Sequence, residues 1–382
     1  MNLLDRYIFR STLLTCAGAV AMFAFVLMAG NIVRDLLGPM LSGQIGLLTF
    51  VRLVLLMFPY LISFALPLGM LTSVLLTLGR LSSDSEVTAM RAVGLSVPRI
   101  ALPVYALAAL GVALGLRVNF ESMPRAKVQY ERELVSAMRA NPLSFIVPKK
   151  FIREFPGYVI YIGSVKGADL RDVWVWQLDD ARRVLRFVHA ESGHVDYDET
   201  ANDFIVPLAD VREEEHNRKN PEDFSQSLKV NSADQVDPIR LSLARYFGAP
   251  TVHQKLQWMT YGELKAEKAR LEAAPAPPGM AKQRARDIMK VALTVQDKFS
   301  MALAIFTFAF VGIPLGIKVS RRETSANLGI AVILALGYYF LIVAVGWLDQ
   351  HPEYRPDLII WLPNLAFLGI GFWMLGRLGR TS

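Results

Sequence analysis

The sequence predicts an α-helical polytopic membrane protein with six transmembrane helices and an inserted all-β domain of the jelly-roll kind outside the membrane. Three observations lead to this fold class. The chain of 382 residues is 53% hydrophobic, and its apolar residues are concentrated in blocks. These blocks form two groups of three, one towards each end of the chain. Between the groups lie short runs rich in Val, Ile, Phe, Tyr and Trp, a composition typical of β-strands.

Each apolar block is long enough to cross a bilayer. The first block, 13–33, is almost free of polar residues and matches the roughly 20 residues that cross ~30 Å of hydrocarbon. It is longer than the apolar region of a signal peptide and no small-residue cleavage site follows it, so we interpret it as a membrane helix. The other blocks lie at about 53–78, 100–118, 299–317, 328–348 and 358–376.

The basic residues predict how the spans are oriented. With the N-terminus in the cytoplasm, the inner segments carry ten Lys and Arg residues, whereas the short outer segments carry three, Arg34, Arg52 and Arg355. This bias follows the positive-inside rule, so we expect both termini in the cytoplasm and residues from about 120 to 298 outside. The net charge of +7 therefore gives no reason to expect a nucleic-acid partner.

The region between the two groups of spans predicts a helix, then strands, then a helical hairpin. We place membrane helices one to three in 1–119, the β-domain in 120–258, a hairpin or stalk in 259–298 and helices four to six in 299–382. Strand-like runs recur every 10–15 residues or so, which favours a sandwich or jelly roll. The run "VWVW" is apolar on both faces, so it is central in a sandwich or lines an apolar groove. We interpret "REEEHNRKN" as a solvated loop.

No sequence motif in the chain indicates catalysis. The phosphate-binding loop, the nucleophile elbow and the zinc-protease helix motif are all missing from the sequence. His189 and His194 have an odd spacing in strand-like sequence, which puts them on opposite faces and argues against a shared metal. The spans carry almost no acidic residues or histidines, which argues against an intramembrane enzyme and a proton-driven transporter. We therefore expect no cofactor, metal or catalytic site.

Two polar features are candidate binding sites. Asn31 and Arg34, at the outer end of span one, have the spacing of one helix face; they form an interfacial anchor or a site for an anionic lipid head group. The second feature is "SDSEVTAMRAVG", in which Ser83 and Glu86 match a capping box, so a helix should begin near Asp84 and end at Gly94.

A helical projection of this second feature puts Glu86 within an apolar face. Ala89, Val93, Met90, Gly94 and Val87 share that face, while Asp84, Ser85, Thr88 and Arg91 lie opposite. A carboxylate in an apolar face suits docking into a groove that supplies a basic partner. Alternatively, Glu86 only closes the capping box and the face packs on the protein's own spans.

Four stretches resemble the LptF/LptG (YjgP/YjgQ) permease family. They are "LLDRYIFR", "LPLGMLTSVLLTLGRLSSDSEVTAMRAVGLS", "DKFSMALAIFTFAFVGIPLGI" and the layout of three spans, a β-domain and three spans. The resemblance covers nearly the whole chain, and the second stretch is the most specific. It does not separate the F from the G subunit, although "SEVTAMRAVGLS" is closer to F.

The resemblance implies a permease of an ABC exporter that extracts lipopolysaccharide from the bacterial inner membrane. Implied partners are a second LptF/LptG-type permease, a cytoplasmic LptB-like ATPase dimer and periplasmic LptC- and LptA-like β-jelly-roll proteins. The segment 82–94 would be the coupling helix that binds the ATPase, with Glu86 as its functional acid and Asp84, Val87, Met90, Arg91 and Val93 around it. Arg34, with Asn31, would lie near the lipid phosphates. Span five has no basic residue, so the resemblance assigns no cationic lipid contact there.

Two other functions stay open at this point. The chain is alternatively an ABC permease for another lipid or for lipoproteins, which the lipid that co-purifies would distinguish. It is alternatively a membrane scaffold without transport, for which lipopolysaccharide would not stimulate ATP hydrolysis in the assembled complex.

Overall fold

A computed structural model describes the chain as a set of long helices and one β-sheet. The described residues are 2–41, 45–140, 148–153, 157–179, 183–198, 203–215, 229–242, 255–273, 281–318, 324–347 and 352–380. The chain divides into two compact units. The first comprises Met1–Val33, Leu53–Tyr130 and Lys255–Ser382, and the second comprises Arg34–Arg52 and Glu131–Gln254.

Six of the described helical segments are long and apolar enough to cross a membrane, which confirms the six predicted spans. The helices are α1 (Leu3–Asn31), α2 (Leu37–Leu41), α3 (Leu47–Ser83), α4 (Glu86–Ala92), α5 (Val97–Arg117), α6 (Met123–Ala140), α7 (Tyr261–Ala273), α8 (Ala281–Lys318), α9 (Thr324–Gly346), α10 (Pro356–Ile359) and α11 (Leu362–Arg380). Spans one to six lie in α1, α3, α5, α8, α9 and α11.

Close helix packing in the first unit depends on glycine. A Cβ atom on Gly316 of α8 would lie 3.1 Å from the Cβ of Leu78 on α3. A Cβ on Gly115 of α5 would lie 2.8 Å from the Cδ1 of Ile305 on α8. Small residues let helix backbones approach, which matters in a membrane, where packing rather than water exclusion drives helix association. Span four is therefore closely packed against spans two and three.

The helices that continue beyond spans three and four are present as predicted. Span three ends in a π-helical turn, Val118–Ser122, and the chain continues as α6. The two helices predicted after the strands are α7 and α8, and α8 runs without a break into span four. Arg284 on α8 donates a hydrogen bond of 2.8 Å to the main-chain oxygen of Leu271 on α7. The proline-rich turn at 275–279 lies outside the described residues.

The second unit contains the predicted inserted β region. Its described strands form one antiparallel sheet of seven: β1 (Phe151–Ile152), β2 (Tyr158–Lys166), β3 (Asp169–Leu178), β4 (Val184–His194), β5 (Asp196–Asp198), β6 (Asp203–Glu215) and β7 (Lys229–Ser242). The order is β1-β2-β3-β4-β6-β5, and β7 also pairs with β6. Most strands therefore pair with the next strand along the chain.

The sheet has one aliphatic and one aromatic face, which explains why "VWVW" is apolar on both sides. Val173 and Val175 are buried in an aliphatic core with residues of neighbouring strands. Trp174 and Trp176 point to the other face, where the ring of Trp176 lies 5.4 Å from that of Phe187. Strand residues alternate between faces, so a strand with a core on one side and ring contacts on the other is apolar throughout.

The sheet differs from the sequence-based prediction in two places. β7 is a strand that the sequence analysis did not predict, because its sequence, "KVNSADQVDPIRLS", is mostly polar. It forms because β6 offers its main chain for pairing along most of its length. The predicted solvated loop "REEEHNRKN" is also wrong at its start, because Glu213–Glu215 are the last residues of β6 and Glu213 forms an ion pair with Arg186 on β4.

Candidate functional site

The link between spans two and three contains α4, a helix of seven residues that begins two residues later than predicted. The predicted capping box is wrong. Ser83 is still part of α3, and the N-cap residue of α4 is Ser85, which has a φ of 62° and makes no side-chain cap hydrogen bond. Because Ser83 does not start a helix, Glu86 is not needed to close a capping box.

The end of α4 matches the prediction and holds it tightly to α5. Gly94 has a φ of 89°, and its N–H donates to the oxygen of Arg91 at 2.9 Å. The N–H of Leu95 donates to the oxygen of Met90 at 3.1 Å. These two bonds form a Schellman motif, which glycine at the left-handed position favours. Since α5 begins at Val97, only a short linker separates the two helices.

The apolar face predicted for α4 is divided between the protein interior and its surface. Val87 and Met90 are 3% and 8% exposed and lie in the hydrophobic core, whereas Val93 is 78% exposed. At 100° per residue, Glu86 projects between these two halves. The projection was therefore wrong to treat the face as one surface. Of the residues placed on either face by the projection, Asp84, Ser85, Thr88, Ala89, Val93 and Gly94 are exposed, whereas Glu86 and Arg91 are half-buried.

Glu86 and Arg91 each contact another helix of the first unit. The hydroxyl of Tyr7 on α1 donates to Oε1 of Glu86 at 3.3 Å. Arg91 Nη2 donates to the main-chain oxygen of Leu378 on α11 at 3.5 Å. A carboxylate has about four acceptor positions, so a single contact leaves Glu86 able to bind a second donor. Its place in the first turn of α4 also favours a negative charge.

Sequence reasoning missed an ion pair near α4. Asp5 on α1 accepts hydrogen bonds from both terminal nitrogens of Arg99 on α5, at 2.6 and 3.1 Å. Asp5 also accepts the N–H of Asn2 at 3.1 Å, and its side chain is only 11% exposed. The signal that could have revealed it is an acid within the otherwise apolar and basic stretch "LLDRYIFR".

Asn31 and Arg34 each have local partners. Asn31, the last residue of α1, donates from Nδ2 to the main-chain oxygen of Leu27 at 2.8 Å. Arg34 lies in a π-helical turn, Ile32–Leu36, and its guanidinium contacts the carboxylate of Asp35 at 2.8 and 2.9 Å. The side chain of Arg34 is 73% exposed. The prediction that Asn31 and Arg34 share one helix face assumes α-helical spacing, whereas Arg34 lies in a π-helical turn. The shared face therefore stays a prediction.

Buried polar groups between the spans were also missed. Lys298 of α8 is 5% exposed, and its ammonium group donates to the main-chain oxygens of Asn119 and Met259 at 2.9 and 3.0 Å. Asn364 of α11 is fully buried and donates to the hydroxyl of Ser300 on α8 at 2.8 Å. These side chains join chain segments to one another, as polar residues within membrane proteins commonly do.

The histidines of the β unit pair with aspartates. His189 Nε2 lies 3.1 Å from Asp172 Oδ1, and His194 Nδ1 lies 2.7 Å from Asp169 Oδ1. Hydrogen bonds from the Trp174 indole and from His189 lower the pKa of Asp172. Within the ranges that the structure describes, no group of three or more His, Cys, Asp and Glu is placed to hold a metal ion. The histidines are therefore paired side chains of the β-sheet.

The residues around α4, by contrast, are suited to binding a partner and to linking helices.

Two comparisons with known proteins agree with each other. The family model described as lipopolysaccharide export system permease LptF/LptG matches residues 6–377. The lipopolysaccharide export system permease protein LptF of Escherichia coli strain K12 is 28% identical to this chain over 380 residues, which cover 96% of this chain and 92% of that protein. The LptF proteins of Escherichia coli O157:H7 and of Shigella flexneri match with the same identity and coverage.

Proposed function

The chain belongs to the LptF/LptG family of lipopolysaccharide export system permeases, and from this premise we propose that it extracts lipopolysaccharide from the bacterial inner membrane with energy from a partner ATPase. As a permease of an export system, it is a multi-pass membrane protein that works with other components of that system. Four features go beyond membership of the family and are proposed: the energy source, the inner membrane, the individual partners and the site residues.

The distribution of basic residues supports an inner-membrane protein with both termini in the cytoplasm. Lys and Arg are enriched in the segments next to the termini, in the α3–α5 link and after span four. In this orientation α4 faces the cytoplasm, where ATP is available. The β-sheet unit then lies in the periplasm.

The placement of Glu86 at the edge of the exposed side of α4 carries the proposal. We define the coupling surface as Asp84, Glu86, Ala89, Arg91 and Val93. It combines an exposed apolar side chain with carboxylates, which suits a groove that has an apolar floor and a basic side chain. Val87 and Met90 contribute from inside, because their burial holds α4 against the spans. An LptB-like ATPase dimer would bind this surface, one ATPase to each of two paired permeases.

Arg34 and Asn31 are proposed to contact lipopolysaccharide. The guanidinium of Arg34 is largely exposed, and guanidinium groups bind phosphate through paired hydrogen bonds. Asp35 already pairs with Arg34, so a lipid phosphate would compete with that carboxylate. Spans one and five carry exposed apolar side chains, including Phe25, Leu336 and Phe340, which suit acyl chains or a second permease of the same family.

The β-sheet is proposed to continue into the sheets of LptC- and LptA-like proteins in the periplasm. Within the described strands, β1 lies at the end of the order and pairs only with β2. The main chain of an edge strand pairs readily with a strand of another protein. Such a junction would give the lipid a continuous route away from the membrane.

Replacing Glu86 with Ala tests the proposal through the ATPase. Loss of a charge-assisted contact costs about 1.5–3 kcal/mol, so the affinity for the ATPase should fall by roughly tenfold or more. The measurement is co-purification of the ATPase with the permease pair, followed by lipopolysaccharide extraction in proteoliposomes. Glu267→Ala, which removes an acid from α7, is the matched control.

The outcomes of this experiment separate the alternatives. Undiminished ATPase binding and transport in the Glu86→Ala complex would contradict the proposed role of Glu86 in coupling. Another lipid or a lipoprotein found with the wild-type complex by mass spectrometry would favour a different cargo. ATP hydrolysis that lipopolysaccharide does not stimulate would favour a scaffold.

A further inference from the structure

Span one is attached most firmly at its N-terminal end. Five of the 29 residues of α1 are buried, Asp5, Ile8, Thr12, Ala19 and Ala24, and three of these lie within its first ten residues. At the N-terminal end, Ile8 is fully buried in the hydrophobic core that also contains Val87 and Met90 of α4 and Val97 of α5. The start of span one and the buried side of α4 therefore share one core.

The Asp5–Arg99 ion pair fixes this end of span one to α5. The contact is bidentate, and paired charge-assisted hydrogen bonds hold both distance and orientation. Asp5 is mostly enclosed while Arg99 is 37% exposed, so the pair is shielded on one side and reachable by solvent on the other. A hydrophobic contact alone would allow α1 to slide, whereas this pair sets its position along α5.

Three further contacts surround the ion pair. The Schellman motif at Gly94 makes α4 and the start of α5 one stiff segment. Tyr7 on α1 contacts Glu86 on α4 at 3.3 Å, two residues along the chain from Asp5. Arg80 on α3 donates to the hydroxyl of Ser11 on α1 at 2.9 Å. The first three turns of α1 are thus joined by hydrogen bonds to α3, α4 and α5.

Near its middle, span one contacts span two at a glycine. A Cβ on Gly69 of α3 would lie 2.3 Å from the Cγ2 of Val20 and 2.9 Å from its main-chain nitrogen. Span one therefore has a close contact with span two near its middle and an ionic attachment at its start. A shift at the start would tilt the helix about this middle contact and move its far end.

We propose that the Asp5–Arg99 ion pair makes the start of span one move together with α4, so that displacement of the coupling surface is passed to span one. Asp5 and Arg99 act as positioning residues, since neither needs to touch the lipid or the ATPase. This inference rests on the proposed docking of an ATPase at α4, and it names the route by which that docking reaches the membrane spans.

Charge exchange tests the inference in the complete complex of permeases and ATPase in proteoliposomes. The variants are Asp5→Arg, Arg99→Asp and the two combined, with lipopolysaccharide extracted per ATP hydrolysed as the measured quantity. Each single variant should lower this ratio roughly tenfold, within the range found for coupled sites, while retaining the ATPase and hydrolysing ATP. The combined variant restores opposite charges and should recover a large part of the ratio.

Glu267→Arg, which breaks an exposed ion pair with Arg270 on α7, is the control and should leave the ratio unchanged. An unchanged ratio in both single variants would overturn the inference while leaving the proposed function intact. Equal loss in the single and combined variants, with normal ATPase retention and melting temperature, would also overturn it. Failure of the wild-type complex to extract lipopolysaccharide would instead count against the proposed function. A single variant that does not assemble yields no ratio. In that case the combined variant and Arg99→Lys decide. Arg99→Lys keeps the positive charge and should keep most of the ratio of lipopolysaccharide extracted per ATP hydrolysed.

Discussion

The ammonium group of Lys298 lies 2.9 Å from the main-chain oxygen of Asn119, and the side-chain amide of Asn119 lies 3.1 Å from the main-chain oxygen of Lys298. The two residues thus exchange hydrogen bonds between the end of span three and the start of span four. The same ammonium group also binds the oxygen of Met259, just before α7. Asn119 lies in a π-helical turn, a type of turn that departs from regular α-helical pairing. Lys298 therefore holds together three segments at the point where the chain leaves and re-enters the spans.

Lys298→Met should destabilise the protein by about 3 kcal/mol, because two buried carbonyls would lose a charged donor. Methionine has a similar length and fills the same space, so the effect isolates the hydrogen bonds rather than the packing. The melting temperature of the purified protein in detergent measures it. Lys265→Met, which changes an exposed lysine of α7, is the matched control. Equal melting temperatures for the two variants would contradict this account of Lys298.

Val93→Ser should weaken ATPase binding without a loss of stability, whereas Val87→Ser should lower stability. Val93 is exposed, so its replacement should leave the melting temperature unchanged and weaken retention of the ATPase. Val87 is buried, so a serine there loses apolar burial and places a hydroxyl in the core, which costs about 2 kcal/mol. Parallel melting and co-purification measurements on both variants check the prediction. A loss of melting temperature in Val93→Ser as large as in Val87→Ser would show that α4 has no separate outer surface.

Asp172→Asn should reduce the acid sensitivity of the β-sheet unit. Hydrogen bonds from Trp174 and His189 lower the pKa of Asp172 below its ordinary value of 3.8. A carboxylate with a lowered pKa in the folded state contributes stability above its unfolded pKa, and the contribution is lost as the pH falls through the folded pKa. Asparagine tolerates the φ of 57° at this position, so the backbone can be kept.

Thermal unfolding of the full chain in detergent, at about pH 6 and about pH 3, measures this difference. The wild-type protein should lose more stability on acidification than Asp172→Asn does. Glu191→Gln, on the exposed side of β4, should behave like the wild type. An identical acid-induced loss in wild type and Asp172→Asn would rule out a contribution from this carboxylate.

The hydrophobic pattern along the sequence predicted most of the fold. Six apolar blocks predicted six membrane helices because twenty apolar residues have few other stable environments. The strands from Tyr158 to Glu215 are recognisable by β-branched and aromatic residues, although the charged run that ends β6 is more typical of a loop. β7 was not recognisable, because its residues are mostly polar and its pairing with β6 depends on main-chain groups that carry no sequence signal.

At α4 the sequence predicted a short helix that ends at Gly94, and the glycine alone was enough for that end. The start of the helix and the direction of each side chain were decided by neighbours distant in sequence. Ser83 stays in α3, and Val87 and Met90 turn inwards because Ile8 and Val97 provide a core for them. A helical projection gives the direction of each side chain around the helix axis but not the residues that pack against it. It therefore could not divide the apolar face into buried and exposed halves.

The sequence by itself determined the six spans, the inserted β region and the family to which the chain belongs, because these depend on hydrophobic patterns and motifs that are local in the chain. Only the tertiary structure decided which polar residues meet: Asp5 with Arg99, Tyr7 with Glu86 and Lys298 with Asn119. Such pairs form between residues 79 to 179 positions apart. Their partners are set by how helices pack, and burial then requires each polar group to find a donor or acceptor within reach.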